Sequence, residues 1–220
     1  MTPSQPLVLV MCKAPVKGLV KTRLAAEVGD DAAIEVYSEM LSYVFEQLRA
    51  ADVNVAVFVD GGELDSRFRG NDEGRGNDTW HYFHQRGTSL GERIISALYE
   101  APFAERMLVI GTDMPFIDEE LVANASRALD HSDIVLGPCV DGGYYLIGMK
   151  SIHRQLFEGI PWSTSRVLSA TLDRCASLGL TTQLLPEQRD VDTLNDLLAL
   201  YAPAPRHEAI VERLREVVGP

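Results

Sequence analysis

Leu7-Val8-Leu9-Val10-Met11 is followed, after Cys12, by Lys13-Ala14-Pro15-Val16-Lys17-Gly18-Leu19-Val20-Lys21-Thr22-Arg23-Leu24. The apolar run reads as a short strand buried on both faces, the kind found in the middle of a parallel sheet. The segment behind it changes character at once. Lys13, Lys17 and Lys21 fall inside nine residues, and Arg23 stands two positions further on. A buried strand opening into a cationic loop is how open α/β sheets place a ligand, beyond the carboxyl ends of their strands.

The same alternation continues outward. Asp30 or Asp31 can cap a helix to about Ala51, in which Ile34, Tyr37, Leu41, Val44, Phe45 and Leu48 recur at helical spacing. Strands are expected at Val53 to Val59, Trp80 to Phe83, Met107 to Ile110, Ile134 to Leu136, Tyr144 to Met149 and Thr181 to Leu185. Helices are expected over Ser89 to Ala101, Asp118 to Leu129, Ser163 to Leu178, Asn195 to Tyr201 and Glu208 to Val218. Strands alternating with helices mean βαβ units and a largely parallel sheet, hence an α/β fold. The length suits one domain over residues 1–220, with 203–220 as a helical tail. Residues 65–78 read DSRFRGNDEGRGND, with Arg-Gly-Asn-Asp twice, and are expected to be a surface insertion.

Composition narrows the function. The net charge of −12 argues against a nucleic-acid polymer as partner. No apolar run approaches the ~20 residues of a membrane span, and the start lacks the pattern of a secretory signal. Cys12, Cys139 and Cys175 form no CxxC pair and are odd in number, which points to a reducing cytoplasm. Only four lysines occur, so three in one loop of an acidic chain suggest a small anionic ligand. A solvated basic loop is the plainer alternative.

Four constellations carry the chemistry. Lys13, Lys17, Lys21, Thr22 and Arg23 offer phosphates cationic side chains and the N–H groups of a starting helical turn. The loop lacks the spacing of a Walker A motif and of GxGxxG. In Gly111-Thr112-Asp113-Met114-Pro115, Asp113 ends a buried strand and can hold Mg²⁺ or Mn²⁺, or cap a turn. In the stretch from Gly137 to Gly148, Asp141, Gly142 and Gly143 can approach a ligand closely while Tyr144 stacks on a sugar or base. A hairpin with core aromatics is the competing reading. Asp192, in Asp190-Val191-Asp192-Thr193, can complete a metal site with Asp113 or cap the following helix. Trp162 can face an acceptor, or merely precede Ser163 as a helix cap. The histidines have no zinc spacing, and no GxSxG elbow is present.

Taken in order, KAPVKGLVKTRL (13–24), LGERI (90–94), GTDMP (111–115), GPCVDGGYYLIG (137–148), PWS (161–163) and DVDTLNDL (190–197) resemble a bacterial family of uncharacterised glycosyltransferase-A-fold proteins. These are described as nucleotide-diphospho-sugar transferase-like, and some occur in proposed arsenosugar pathways. The resemblance runs from about residue 7 to 201. More distantly the chain is similar to 2-phospho-lactate and molybdenum-cofactor guanylyltransferases. The resemblance implies a three-layer α/β domain whose mixed, mostly parallel sheet has a Rossmann-like nucleotide half. It implies that Lys13, Lys21 and Arg23 hold phosphates, that Asp113 is the principal metal ligand, and that Asp192 is a second one. Two departures stand out. Thr88-Ser89 replace the acidic residue that relatives often carry before LGER, and the doubled Arg-Gly-Asn-Asp segment is foreign to the family.

The expectation is therefore a metal-dependent transferase using an activated nucleotide. Glycosyl transfer from a nucleotide sugar to a small-molecule acceptor leads, ahead of nucleotidyl transfer with release of pyrophosphate. Lys21 and Asp113 would be the catalytic pair. A nucleotide-binding protein without turnover is the non-enzymatic alternative. The stretch Tyr144 to Ile147 and the C-terminal helix could each support a homodimer.

Overall fold

The computed structural model describes residues 5–51, 53–65, 68, 80–201 and 207–218. The expected insertion at 65–78 therefore lies, apart from Asp65 and Phe68, outside the described residues.

The strands are β1 (Leu7–Lys13), β2 (Asn54–Asp60), β3 (His81–His84), β4 (Met107–Ile110), β5 (Ile134–Pro138), β6 (Tyr144–Met149) and β7 (Thr182–Leu184). They form one sheet in the order β3-β2-β1-β4-β6-β5-β7. Strand β6 runs antiparallel to both β4 and β5, and the other pairings are parallel. The sheet is mixed and mostly parallel, as expected. The helices are α1 (Thr22–Val28), α2 (Asp30–Ala50), α3 (Leu90–Glu100), α4 (Glu119–Ala128), α5 (Val167–Ser177), α6 (Leu194–Leu200) and α7 (Glu208–Val218).

The two-residue period of β1 divides the core. Val8, Val10 and Cys12 join α2 and α4 through Tyr37, Leu41, Val44, Phe45, Val122 and Ala125. Leu7 and Leu9 face the other way, onto Ile94 and Leu98 of α3 and Cys175 of α5. Helices thus cover both faces, giving three layers. A further cluster of Leu24, Val36, Met40, Val191, Leu197 and Leu214 packs α1, α6 and α7 onto the outer side of α2.

The expected helix entry at Ser163 is corrected. The helix expected from Ser163 begins at Val167, and Ser163 itself takes a left-handed backbone with φ 61°. Thr164 Oγ1 donates instead to Pro161 O at 2.7 Å, closing a turn ahead of the helix. The two stretches considered as dimer surfaces are used within the chain. Strand β6 is interior to the sheet, and α7 buries Ile210, Val211 and Leu214. Among the described residues no helix is long and apolar enough to cross a membrane.

Candidate active site at the carboxyl edge of the sheet

Strands β1 and β4 are neighbours whose parallel pairing ends at Val10 and Ile110. β1 pairs with β2 as far as Lys13. The chain leaves β1 towards one half of the sheet, while β4 begins the other half. Ligands of such sheets bind in the crevice that opens at this reversal. Lys13 and Asp113 flank it.

Lys21 is the centre of the site. It precedes α1 with φ 45°, a left-handed conformation that a non-glycine residue adopts only where the surroundings enforce it. Its side chain is 2% exposed, and its ammonium donates to Asp113 Oδ1 and, at 3.3 Å, to Asp192 Oδ1. Burial pulls the Lys21 pKa down, but the two carboxylates overcome it and hold the ammonium above its ordinary value. Partial desolvation pushes Asp113 up, and the Lys21 charge and hydrogen bond, with help from Lys13, more than reverse it. Asp113 and Asp192 keep 57% and 46% of their side-chain surface open.

Backbone geometry explains why Asp192 reaches this place. The segment after β7 crosses the sheet edge in extended form: Leu185 N–H donates to Leu136 O, Gln188 N–H to Pro138 O, and Val191 N–H to Asp113 O. The alternation buries Val191 and leaves Asp190 and Asp192 at the edge. The capping role considered for Asp192 falls to Thr193, which forms a reciprocal capping box with Asp196. Asp192 is thereby left for Lys21. The alternative of a turn cap for Asp113 is also replaced, because its carboxylate faces Lys21.

The other cations of the loop are arranged unequally. Arg23 Nη1 stands 3.8 Å from Asp192 Oδ2 and is largely exposed. Thr22 opens α1. Lys17 turns away to Asp31 at the start of α2, at 2.5 Å. The positive charge near Asp113 therefore comes from Lys21 and Lys13, and Arg23 adds its own beside Asp192.

The β5–β6 turn is built differently. Asp141 Oδ1 accepts from Gly143 N–H at 2.8 Å. Gly142 has φ 88°, and a Cβ there would lie 2.2 Å from the Ser165 carbonyl oxygen. Tyr144 meets Trp162 edge-on at 6.3 Å, within the core cluster that contains α3. A Cβ on Gly91 would lie 2.7 Å from the Trp162 indole nitrogen, which explains the glycine of LGERI. Tyr144 and Trp162 are thus packing residues, and Asp141 is the member of this turn whose carboxylate lies at the edge.

Two groups beside the site had no signal in the sequence. Cys139 is buried, and its thiol donates to Asp190 Oδ1 at 3.1 Å. Cys139, Asp141 and Asp190 bring their ligand atoms within 4.8 Å of one another. Burial, with the Asp113 and Asp141 charges, pushes Asp190 up to about 6 against the pull of Cys139 and Lys21. The other is Tyr37, whose hydroxyl binds both backbone groups of Lys13 at 2.9 Å. Tyr37 reads in the sequence as one more member of an apolar helix face. Its partner lies 24 residues away, beyond local pattern.

Comparison with known proteins agrees with this architecture. Residues 43–164 match the family described as uncharacterized proteins conserved in bacteria, DUF2064. The chain belongs to the DUF2064 family. A candidate nucleotide-diphospho-sugar transferase from Desulfovibrio desulfuricans G20 is 31% identical to it, with 96% of this chain and 94% of that one covered and a TM-score of 0.85. The inositol-1-phosphate CTP transferase from T. maritima is 13% identical over 100% of both chains, with a TM-score of 0.59. The 4-diphosphocytidyl-2C-methyl-D-erythritol synthase from Anaerococcus prevotii DSM 20548 is 12% identical over 90% of this chain and 95% of that one, at 0.56. The latter two share the fold with this DUF2064 protein. No curated protein matches the chain.

Proposed function

We propose that this DUF2064 protein is a metal-dependent transferase that takes an activated nucleotide, with a nucleotide sugar as donor and a small molecule as acceptor. The observation that carries the reading is the convergence of Asp113 and Asp192 on one buried ammonium at the edge of the sheet. Two half-open carboxylates already hold a cation there. An all-oxygen donor pair of this kind fits Mg²⁺ or Mn²⁺. When bound, such an ion supplies neutralisation of a departing phosphate group.

The chain's own residues account for the rest. Asp113 and Asp192 would hold the ion. Lys21, released from the carboxylates, would join Lys13 and Arg23 on the phosphate oxygens. Transfer then depends on positioning and charge. In glycosyl transfer an acceptor hydroxyl attacks the anomeric carbon and gives up its proton to water, the bond to the diphosphate oxygen breaks, and the nucleoside diphosphate departs with that electron pair. Lys21 and Arg23 stabilise the charge that develops there. The acceptor would lie on the Asp141 side. The 31% identity to a candidate nucleotide-diphospho-sugar transferase supports this version.

Nucleotidyl transfer is the second reading. It is favoured by the presence of two carboxylates, Asp113 and Asp192, at a single cation seat. In that reaction an acceptor phosphate oxygen attacks the α-phosphorus and pyrophosphate leaves, aligned by the same lysines.

A thermal-shift panel of nucleoside triphosphates, diphosphates and nucleotide sugars, with and without Mg²⁺ or Mn²⁺, tests the proposal. A ligand at 100 times its Kd adds about 2.7 kcal/mol, or roughly 5–10 °C for a chain of this size. A metal-dependent shift that Asp113→Asn abolishes is expected. No shift with any member of the panel would overturn the reading. Binding without turnover would leave a nucleotide-binding protein, and pyrophosphate release would decide for the nucleotidyl version.

A further inference from the structure

We infer that Gln85 is a specificity residue of this site, whose side-chain oxygen accepts a hydrogen bond from the nucleoside of the bound nucleotide; the inference deepens the function proposed above and rests on it. Gln85 lies just past β3. Its N–H donates to Val59 O at 2.9 Å, which carries the β2–β3 pairing one step beyond Val59 and His84. That step sets Gln85 level with Asp60, and Asp60 is level with Lys13. Side chains in register on parallel strands share a face. Leu9 and Met11 on β1, Phe58 on β2 and Phe83 on β3 have the same parity, and all belong to the core cluster on the α3 face. At the carboxyl edge this apolar face ends in a polar row.

Within that row the Gln85 carboxamide is held in one orientation. Its Nε2 donates to Phe58 O at 3.0 Å and, reaching across β2, to Cys12 O at 2.9 Å. Both amide hydrogens are thereby spent on main-chain carbonyls. A flipped amide would set its oxygen against those two carbonyl oxygens, so the place of the oxygen is fixed. Among the described residues nothing donates to Gln85 Oε1. Nor is that oxygen sealed in, since the buried side-chain polar atoms without a partner, among the described residues, are the Tyr144 and Tyr201 hydroxyls. Arg93 of α3 gives its own donors to Asp60 and to Gly87 O. Gln85 thus presents one open, fixed acceptor beside the residue that precedes Lys13.

Phosphates on Lys13 and Lys21 leave two directions for the rest of the nucleotide. Asp113 and the Asp141 turn occupy the side of β4, β6 and β5, so the nucleoside lies over β1, β2 and β3. There it meets Gln85 with a donor, either an N–H of the base or a ribose hydroxyl. An acceptor that cannot turn away favours a nucleoside presenting such a donor and penalises one that lacks it.

Gln85→Met keeps the length of the side chain and removes the amide. Wild type and variant are titrated calorimetrically, in Mg²⁺, with inorganic pyrophosphate, with ADP, CDP, GDP and UDP, and with the 2′,3′-dideoxy form of each nucleotide. For the ribonucleotide that wild type binds most tightly, the variant should lose about three- to tenfold in affinity, the scale of one hydrogen bond. Its affinity for pyrophosphate, which has no nucleoside, should change by less than about twofold. The dideoxy form names the donor. If the variant loses as much affinity for it as for the ribonucleotide, the donor is a base N–H; if it loses none, the donor is a ribose hydroxyl.

A residue that only ties β1 to β2 would weaken pyrophosphate and nucleotide equally, and that result would overturn the inference. If Gln85→Met fails to fold, the side-chain amide resonances of Gln85 in the wild type decide. They should shift with the nucleotide and stay in place with pyrophosphate, and an equal response to the two counts against the inference. A wild-type chain that binds neither pyrophosphate nor any nucleotide ends the functional proposal. Nucleotide binding that Gln85→Met leaves unchanged ends this inference alone.

Discussion

The β1–α1 loop and the β5–β6 turn lie at the same edge of the sheet and look alike in sequence. Each contains glycine and charge: Lys17-Gly18 and Lys21 in the first, Asp141-Gly142-Gly143 in the second. The structure uses them in opposite ways. The first loop surrounds Gly18 with open space and drives Lys21 into a left-handed conformation beneath two carboxylates. The second turn is occupied by its own packing, with Gly142 against Ser165, Asp141 capping Gly143, and Tyr144 against Trp162. Their charge balance differs as well. Asp113 and Asp192 have a cation between them, whereas Asp190 has a buried thiol as its hydrogen-bond partner. The first loop sets one strained lysine against two half-open carboxylates, and the second turn closes on its own backbone and side chains.

The largest effect that would sharpen this contrast is in turnover. Asp113→Asn should lower turnover by about 100-fold or more, because several kcal/mol of charge stabilisation depend on that carboxylate. Steady-state rates with the donor found in the thermal-shift panel check this. Asp141→Asn, on the other side, should keep most of the rate, and equal losses would break the comparison.

Lys21→Met follows. It should weaken nucleotide binding about 10- to 100-fold through the loss of charge-assisted hydrogen bonds to phosphate. The same change should strengthen the binding of Mn²⁺ without nucleotide, because the ammonium no longer competes for Asp113 and Asp192. Calorimetric titration with Mn²⁺ alone reads this second effect, and weaker Mn²⁺ binding would show that Lys21 does not occupy the cation's seat.

Glycine substitutions come next. Gly142→Ala should cost about 2–4 kcal/mol, since both its positive φ and the Ser165 backbone oppose a side chain. Gly18→Ala, with open space around it, should cost only the conformational penalty of about 1–2 kcal/mol. Denaturant unfolding of the two variants gives the order directly.

The acidity of Asp190 supplies a pH test. Its carboxyl moves from 3.8 unfolded to about 6 in the fold. The native state therefore keeps this proton to higher pH than the unfolded state. The contribution to stability is complete below the unfolded value and is lost as pH rises through about 6, by on the order of 2–3 kcal/mol. Asp190→Asn, which cannot ionise, should lack that loss and gain on the wild type between pH 4 and 7. Parallel pH-stability curves would refute the assignment.

Local sequence determined much of this protein. The buried run Leu7–Met11, the alternation of strands and helices, and the lysine cluster followed from patterning and charge, because burial and helical period leave their mark on consecutive residues. Lys21 and Asp113 were legible because a strand end in a parallel sheet is where such groups meet a ligand. The tertiary structure alone decided which neighbouring groups belong to the site. Asp192 and Asp190 are two residues apart, yet one reaches Lys21 and the other a buried thiol, because an extended segment sends them to different partners. Likewise Tyr37 has the spacing of a core residue, and its place at Lys13 follows from β1 and β4 parting where they do. Such contacts join residues dozens to more than a hundred positions apart in sequence, and only the folded chain brings them together.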